Sequence, residues 1–236
     1  MKYSIIMPYY KRAEQLKATL ESFEEHYGRR YDFEIVIVTD SKMTAAEHRE
    51  LIDITNTSKF LITIIGDGNK KPCFNPSTAF NRGVESSCGD YIVLTSPECL
   101  HQSDILAGLD EEFEARPFSY VVCGCMAAPR AKKDRGKAFV WYQHSEHKNN
   151  QYHFCSCLHR DLYKEVGGFD ERFTDGYGYD DDAFRDRVRM KGVFFKNRDD
   201  LIVFHQDHEK KKPPGWRELL QRNRDLYIRE YYGDEA

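Results

Sequence analysis

Four runs of apolar, largely β-branched residues punctuate the first hundred positions, and helical periodicity fills the gaps between them. Tyr3–Met7 reads as a buried strand ending at Pro8, Phe33–Thr39 as a second, Phe60–Ile65 as a third and Tyr91–Leu94 as a fourth. Continuous apolar runs of this length suit strands covered on both faces. Ala13, Leu16, Leu20, Phe23 and Tyr27 form one stripe of a helix over 13–27. Thr44 with Glu47 predicts a capping box, and Pro76 opens a helix reaching Ser87. Such alternation predicts an α/β fold: a mostly parallel central sheet flanked by helices, with a Rossmann-like nucleotide-binding half. Ligands of these sheets bind beyond the carboxyl ends of the strands. Function should therefore gather at Pro8–Arg12, Asp40-Ser41, Gly66–Asn69 and Ser96–Glu98.

The second half is less regular. Helices are expected at 103–115, 180–191 and 216–231, with strands at Tyr120–Met126, Phe154–Leu158, Val193–Phe195 and Leu201–Phe204. Pro129–Lys137, rich in Lys and Arg, reads as an exposed loop. The formal net charge of −4 argues against a duplex nucleic-acid binder, which usually carries a basic surplus. No apolar run approaches the ~20 residues of a membrane span, and no signal peptide is legible. The expectation is a cytoplasmic protein, with peripheral membrane association left open. Seven cysteines, an odd number, point to free thiols. Cys123-x-Cys125 and Cys155-x-Cys157 could form a four-thiolate zinc site, but they lack the usual C-x₂₋₄-C spacing and read better as buried thiols.

Three segments carry residues suited to chemistry. Asp180-Asp181-Asp182 follow Gly176-Tyr177-Gly178-Tyr179. A helix N-terminus tolerates such a run as simple acidic capping. The same residues could supply a general base and a substrate-holding carboxylate, with the glycines admitting close approach. Glu98, beyond a buried strand in Ser96-Pro97-Glu98, suits a hard divalent cation. His205-Gln206-Asp207-His208 adds an imidazole, a normal partner of carboxylate and phosphate oxygens around Mn²⁺. Lys210-Lys211-Lys212 is a solvated run that could also close over a phosphate.

Taken in order, Ser4–Arg12, Glu34–Ser41, Asn75–Gly83, Gly89–Leu94, Gly167–Phe173, Gly176–Asp181 and His205-Gln206 resemble the inverting family-2 glycosyltransferases of the GT-A fold. More distantly they resemble galactosyltransferases with a similar acceptor motif. The resemblance spans about 200 residues, from Ser4 to His205. It implies a nucleotide site built from Pro8, Tyr9, Tyr10, Arg12, Asp40, Asn75, Arg82, Ser96 and Pro97, with Asp40 holding the base. It assigns Asp181 as catalytic base and Asp180, Tyr177 and Tyr179 to the acceptor. It assigns Glu98 and His205 to a divalent metal, Mn²⁺ or Mg²⁺. The chain departs from the pattern at Ser96-Pro97-Glu98, where the family has Asp-x-Asp, so one acid is replaced by Ser96.

The implied activity is inverting transfer of a sugar from a UDP-linked donor to a glycan or lipid-linked glycan hydroxyl, by metal-assisted direct displacement. One domain would span 1–236: a nucleotide-sugar half over 1–99, an acceptor half over 100–208, and a C-terminal loop and helix over 209–236. Tyr142, Trp141 and Trp216 join Tyr177 and Tyr179 as candidates to pack on sugar faces. Two other functions compete. A sugar-nucleotide-forming nucleotidyltransferase would want a glycine-rich loop where Pro8–Arg12 stands. An inactive glycan- or nucleotide-binding module would explain the altered Asp-x-Asp, but not the retained Asp180, Asp181 and His205.

Overall fold

The computed structural model describes residues 1–30, 32–39, 43–68, 75–129, 134, 136–209 and 212–233. Nine strands among them form one sheet: β1 (Tyr3–Tyr9), β2 (Phe33–Thr39), β3 (Ile62–Gly66), β4 (Tyr91–Thr95), β5 (Cys99–His101), β6 (Tyr120–Ala127), β7 (Val140–Gln143), β8 (Cys155–His159) and β9 (Phe195–His205). Their order is β3-β2-β1-β4-β8-β6-β9-β5, with β7 beside β6. The first four are parallel neighbours. Beyond β4 the sheet is mixed: β8 is antiparallel to β4 and β6, whereas β9 is parallel to β6. The helices are α1 (Ala13–Tyr27), α2 (Ala45–Asn56), α3 (Ser77–Glu85), α4 (Ile105–Ala115), α5 (Arg160–Glu165), α6 (Asp180–Met190) and α7 (Trp216–Tyr232).

Strand alternation divides the core into two layers. Tyr3, Ile5, Met7 and Tyr9 of β1 join Ile35 and Ile37 of β2 in packing under α1, Leu51 of α2 and α4. Ile6, Val36 and Val38 point the other way, toward Phe80 of α3 and Phe184 and Val188 of α6. Each such large apolar side chain contributes roughly 1.5–3 kcal/mol on burial. A third cluster joins Phe173 and Ala183 to Leu226 and Tyr227 of α7. Gly83 is required where α3 meets the sheet, because a Cβ there would lie 2.3 Å from Ile6 Cγ2.

Several local expectations change. β1 continues past Pro8 to Tyr9, since β2 is its only partner there: pairing with β4 ends at Ile6. Pro76 is the N-cap of α3, not part of its first turn. The two short strands expected after 193 are one bulged strand, β9, whose register against β6 shifts between Cys123 and Gly124. Strands β5 and β7 and helix α5 were not expected, being too short to show a period. Cys99, Cys123, Cys125, Cys155 and Cys157 are buried free thiols. Among the described residues no metal-capable cluster contains a cysteine, so the four-thiolate zinc alternative falls. Most of the basic loop at 129–137 lies outside the described residues.

Candidate active site

A cleft of about 560 Å³ opens at the carboxyl ends of the parallel strands. Pro8, Tyr9 and Tyr10 border it from β1, Val38 from β2, Asp67 from beyond β3, and Thr95 and Ser96 from β4. Asn75, Pro76, Ala79 and Phe80 line it from the start of α3. Antiparallel pairing of Thr95 with Cys155 brings the start of β8 to the carboxyl end of β4. Tyr152, His153 and Phe154 therefore enter the same cleft, opposite Tyr177, Gly178, Asp180 and Asp181.

Glu98 and His205 also meet there. Cys99 of β5 is the register partner of His205 at the end of β9, and the Gln206 amide donates to the Glu98 carbonyl at 2.8 Å. Arg12 Nε donates to Glu98 Oε1 at 2.9 Å, and His208 Nε2 lies 3.6 Å from the same oxygen. Carboxylate and imidazole at the lip of a strand-end cleft are a donor set that suits a divalent cation, and both Arg12 and His208 approach Glu98 at Oε1.

The acidic wall depends on fasteners distant in sequence. Asn81 of α3 accepts from the Phe169 amide at 2.8 Å and from the Tyr163 hydroxyl at 2.7 Å, pinning the Gly167–Phe173 segment. The Asn75 amide group donates to the Phe173 carbonyl. Asn223 of α7 donates to the carbonyls of Phe173 at 2.9 Å and Gly178 at 2.8 Å. Its closeness is why position 176 is glycine: a Cβ would fall 2.0 Å from Asn223 Oδ1. Gly178 and Tyr179 both take positive φ, 70° and 65°, turning the chain sharply into α6. Left-handed backbone costs a tyrosine on the order of 1–2 kcal/mol. The turn places Asp180 and Asp181 at the helix N-terminus, where the macrodipole favours negative charge.

The three aspartates have different surroundings. Asp180 is buried, and desolvation, with Asp181 adding repulsion against the opposing pull of His153, pushes its carboxyl up to about 7. Asp181 is one-third exposed and lies 2.7 Å from His153 Nε2 through Oδ1. Burial opposes charge on His153, but the Asp181 charge and hydrogen bond, helped by Asp180, outweigh it and raise its pKa. Asp182 is turned aside, bonded to the Tyr152 hydroxyl at 2.9 Å and to Arg185 at 3.0 Å.

Eleven of the predicted site residues border this one cleft: Pro8, Tyr9, Tyr10, Arg12, Asn75, Ser96, Glu98, Tyr177, Asp180, Asp181 and His205. Three others are placed elsewhere. Pro97 is buried beneath the turn, its carbonyl accepting from Thr19 Oγ1 at 2.7 Å. Arg82 is exposed beside Gly68, whose Cβ position would lie 3.7 Å from the guanidinium. Tyr179 packs on Tyr227 of α7, 5.4 Å between ring centres, because its left-handed backbone turns it from the cleft. Asp40 lies outside the described residues, as do Lys210 and Lys211. Of the other aromatic candidates, Tyr142 packs against His205 at the margin, Trp141 neighbours His144 and His147, and Trp216 is capped by Lys212. Tyr152 and His153 were missed: they precede a short strand whose antiparallel pairing had no sequence signal. Asp67 lay within the flagged Gly66–Asn69 loop.

The sequence profile described as glycosyl transferase family 2 matches residues 4–165, well over half of the chain. The chain belongs to glycosyl transferase family 2. A second profile, the N-terminal domain of galactosyltransferase, matches residues 143–209, which include the acidic wall. No curated protein is a significant match. Among solved structures, the chain is similar to the mannosyltransferase PcManGT of Pyrobaculum calidifontis in complex with GDP-Man and Mn²⁺ (TM-score 0.69, 17% identity). It is also similar to S. aureus TarS 1-349 in complex with UDP-GlcNAc (TM-score 0.74, 12% identity). All of the chain is covered in both, against 65% and 68% of those chains. At such identities the likeness establishes the GT-A-type fold and nothing finer.

Proposed function

We propose that this family 2 member transfers a sugar, with inversion, from a UDP-linked donor to a glycan or lipid-linked glycan hydroxyl. The observation that carries this reading is the convergence, in one strand-end cleft, of the Pro8–Arg12 turn, Glu98, His205 and the Asp180-Asp181 pair. Residues 1–99 would take the nucleotide, with Asp40 holding the base and Pro8, Tyr9, Tyr10, Arg12 and Ser96 around it. Residues 100–208 would take the acceptor, with Asp180 and Tyr177 positioning it. The 209–236 segment would then act through Asn223, which fastens the acceptor wall.

Asp181 serves as the base. The acceptor O–H bond breaks and its proton passes to Asp181. The oxygen's electron pair bonds to the anomeric carbon from the face opposite the diphosphate. The carbon–oxygen bond to phosphate breaks, and that pair leaves with the nucleotide. One inversion needs one base and no covalent intermediate. A divalent cation, held by Glu98 and His205, would supply charge compensation for the leaving diphosphate. The Mn²⁺ complex of PcManGT supports a divalent cation, and the UDP-GlcNAc complex of TarS supports a uridine donor. Arg12 places a further positive charge beside Glu98.

A thermal-shift panel of UDP- and GDP-sugars, with Mn²⁺ or EDTA, tests the donor. A ligand at 100 times its Kd adds ~2.7 kcal/mol. A metal-dependent shift with a UDP-sugar, followed by nucleotide release on adding glycan acceptors, is expected. Stabilisation by GDP-mannose alone would overturn the uridine assignment. Binding without transfer across the acceptor panel would favour an inactive module.

A further inference from the structure

His153 has no role in the transfer reaction, yet its side chain is closely held at the wall of the cleft. Its side chain is 9% exposed. Phe80 of α3 and Phe169 each meet the imidazole edge-on, with ring centres 4.8 and 4.9 Å away. Those two phenyl rings stack on one another at 4.9 Å, so the imidazole sits in a rigid aromatic slot. From that slot Nε2 reaches Asp181 Oδ1 at 2.7 Å. Asp181, on the open first turn of α6, has far more freedom. The rigid member of the pair therefore sets the orientation of the mobile one.

His153, Asp180 and Asp181 also present ligand atoms within 4.8 Å of one another, which raises the question of a cation. Two ligands each ~2.1 Å from one ion stand roughly 3 Å or more apart. The 2.7 Å contact is shorter, and is the length of a charge-assisted hydrogen bond. The contact between His153 and Asp181 is therefore a hydrogen bond, with Asp180 beside it.

We propose that His153 is the positioning residue for the base: by donating from Nε2 to Oδ1, it fixes the Asp181 carboxylate so that Oδ2 takes the acceptor's proton. This rests on Asp181 being the base of the transfer reaction. The proton leaves the acceptor oxygen for Oδ2, and the Nε2–H···Oδ1 bond persists throughout. Holding one oxygen removes the carboxylate's rotational freedom before the acceptor arrives, which is where oriented catalysis gains its rate. The charged and titratable groups facing the pair are Asp180, Asp182 and Arg185 from α6, Tyr152 from the segment before β8 and Tyr120 from β6. Phe80 and Phe169 close the remaining sides.

The test compares His153→Gln, which keeps an N–H donor, with His153→Phe. Steady-state transfer would be read by nucleotide release with the donor and acceptor found above. His153→Phe should lose ~10–100-fold in kcat while the donor KM stays within about twofold, and His153→Gln should retain more. Both variants also take the imidazole's positive charge away from the base, so the acid limb of the kcat–pH profile should move up. An unmoved limb with unchanged kcat refutes the proposal, as does a loss confined to donor KM. Loss of nucleotide-free Mn²⁺ binding in His153→Phe would make the cluster a cation site and also overturn it. Should the histidine variants misfold, or no transfer be found with any donor, the coupling is read by NMR titration of the protein's nine histidines. One resonance should titrate lower in Asp181→Asn than in wild type, because the Asp181 charge that raises the imidazole is gone. If none moves, the pair does not exist in solution, whatever the fate of the transfer reading.

Discussion

Asp180→Asn should stabilise the protein, and increasingly so as the pH rises. The ordinary aspartate value is 3.8, and in the folded protein desolvation, followed by repulsion from Asp181, lifts this carboxyl to about 7. Between those values the folded state holds a proton that the unfolded chain has released, so stability falls as pH increases. The penalty starts above the unfolded value and levels off past the folded one. For such a group it grows by roughly 2.5 kcal/mol between pH 5 and pH 8. The raised imidazole of His153 acts in the same direction, since stability from a raised histidine is lost as pH climbs through its folded value. Asparagine at 180 keeps the shape, removes the first contribution and leaves the His153–Asp181 pair. Urea unfolding of both proteins at pH 5, 6, 7 and 8 gives the difference directly, provided the m-values agree. The gap should widen toward alkaline pH by a couple of kcal/mol, while glycosyl transfer declines. Parallel stability curves across that range would refute the claim that Asp180 is buried at an energetic cost.

Other outcomes are specific to single residues. Asp181→Asn should lower kcat by ~10²–10⁴-fold with donor binding intact in thermal shift, whereas Asp182→Asn, whose partners are Tyr152 and Arg185, should retain most activity; equal loss in both would reassign the base. Glu98→Ala should abolish the Mn²⁺-dependent part of nucleotide binding measured by calorimetry, and Glu98→Ala with His205→Ala should be little worse than either alone. Gly176→Ala places a Cβ where Asn223 Oδ1 already sits, and should cost ~1–3 kcal/mol in denaturant unfolding together with activity. Gly83→Ala should cost a similar amount in the same assay, through Ile6 where α3 meets the sheet.

Elements whose pattern is long and local are legible from residue order. Helix α1 spans 13–27 as its apolar stripe predicts, β2 spans 33–39, and the Thr44–Glu47 capping box forms. Those features depend on neighbours within a few positions, so their physics is complete in a short window. Local order also marked Pro8–Arg12, Ser96–Glu98 and Asp180-Asp181 as strand-end or helix-start residues, and most of these border the cleft, whereas Asn75 and Tyr177 were named only through the family resemblance. Side-chain direction and partnership across the chain came instead from packing between distant segments. Pro97 and Tyr179 sit beside cleft residues in sequence, but a buried turn and a left-handed backbone point them elsewhere. Glu98 meets Arg12 over 86 positions, and Asn223 holds the Gly176 turn from another helix. His153 reaches Asp181 only because β8 runs antiparallel to β4, bringing its start to the carboxyl end of a parallel strand. Strand pairing over such separations is set by the packing of the whole sheet, and no window of the sequence contains it.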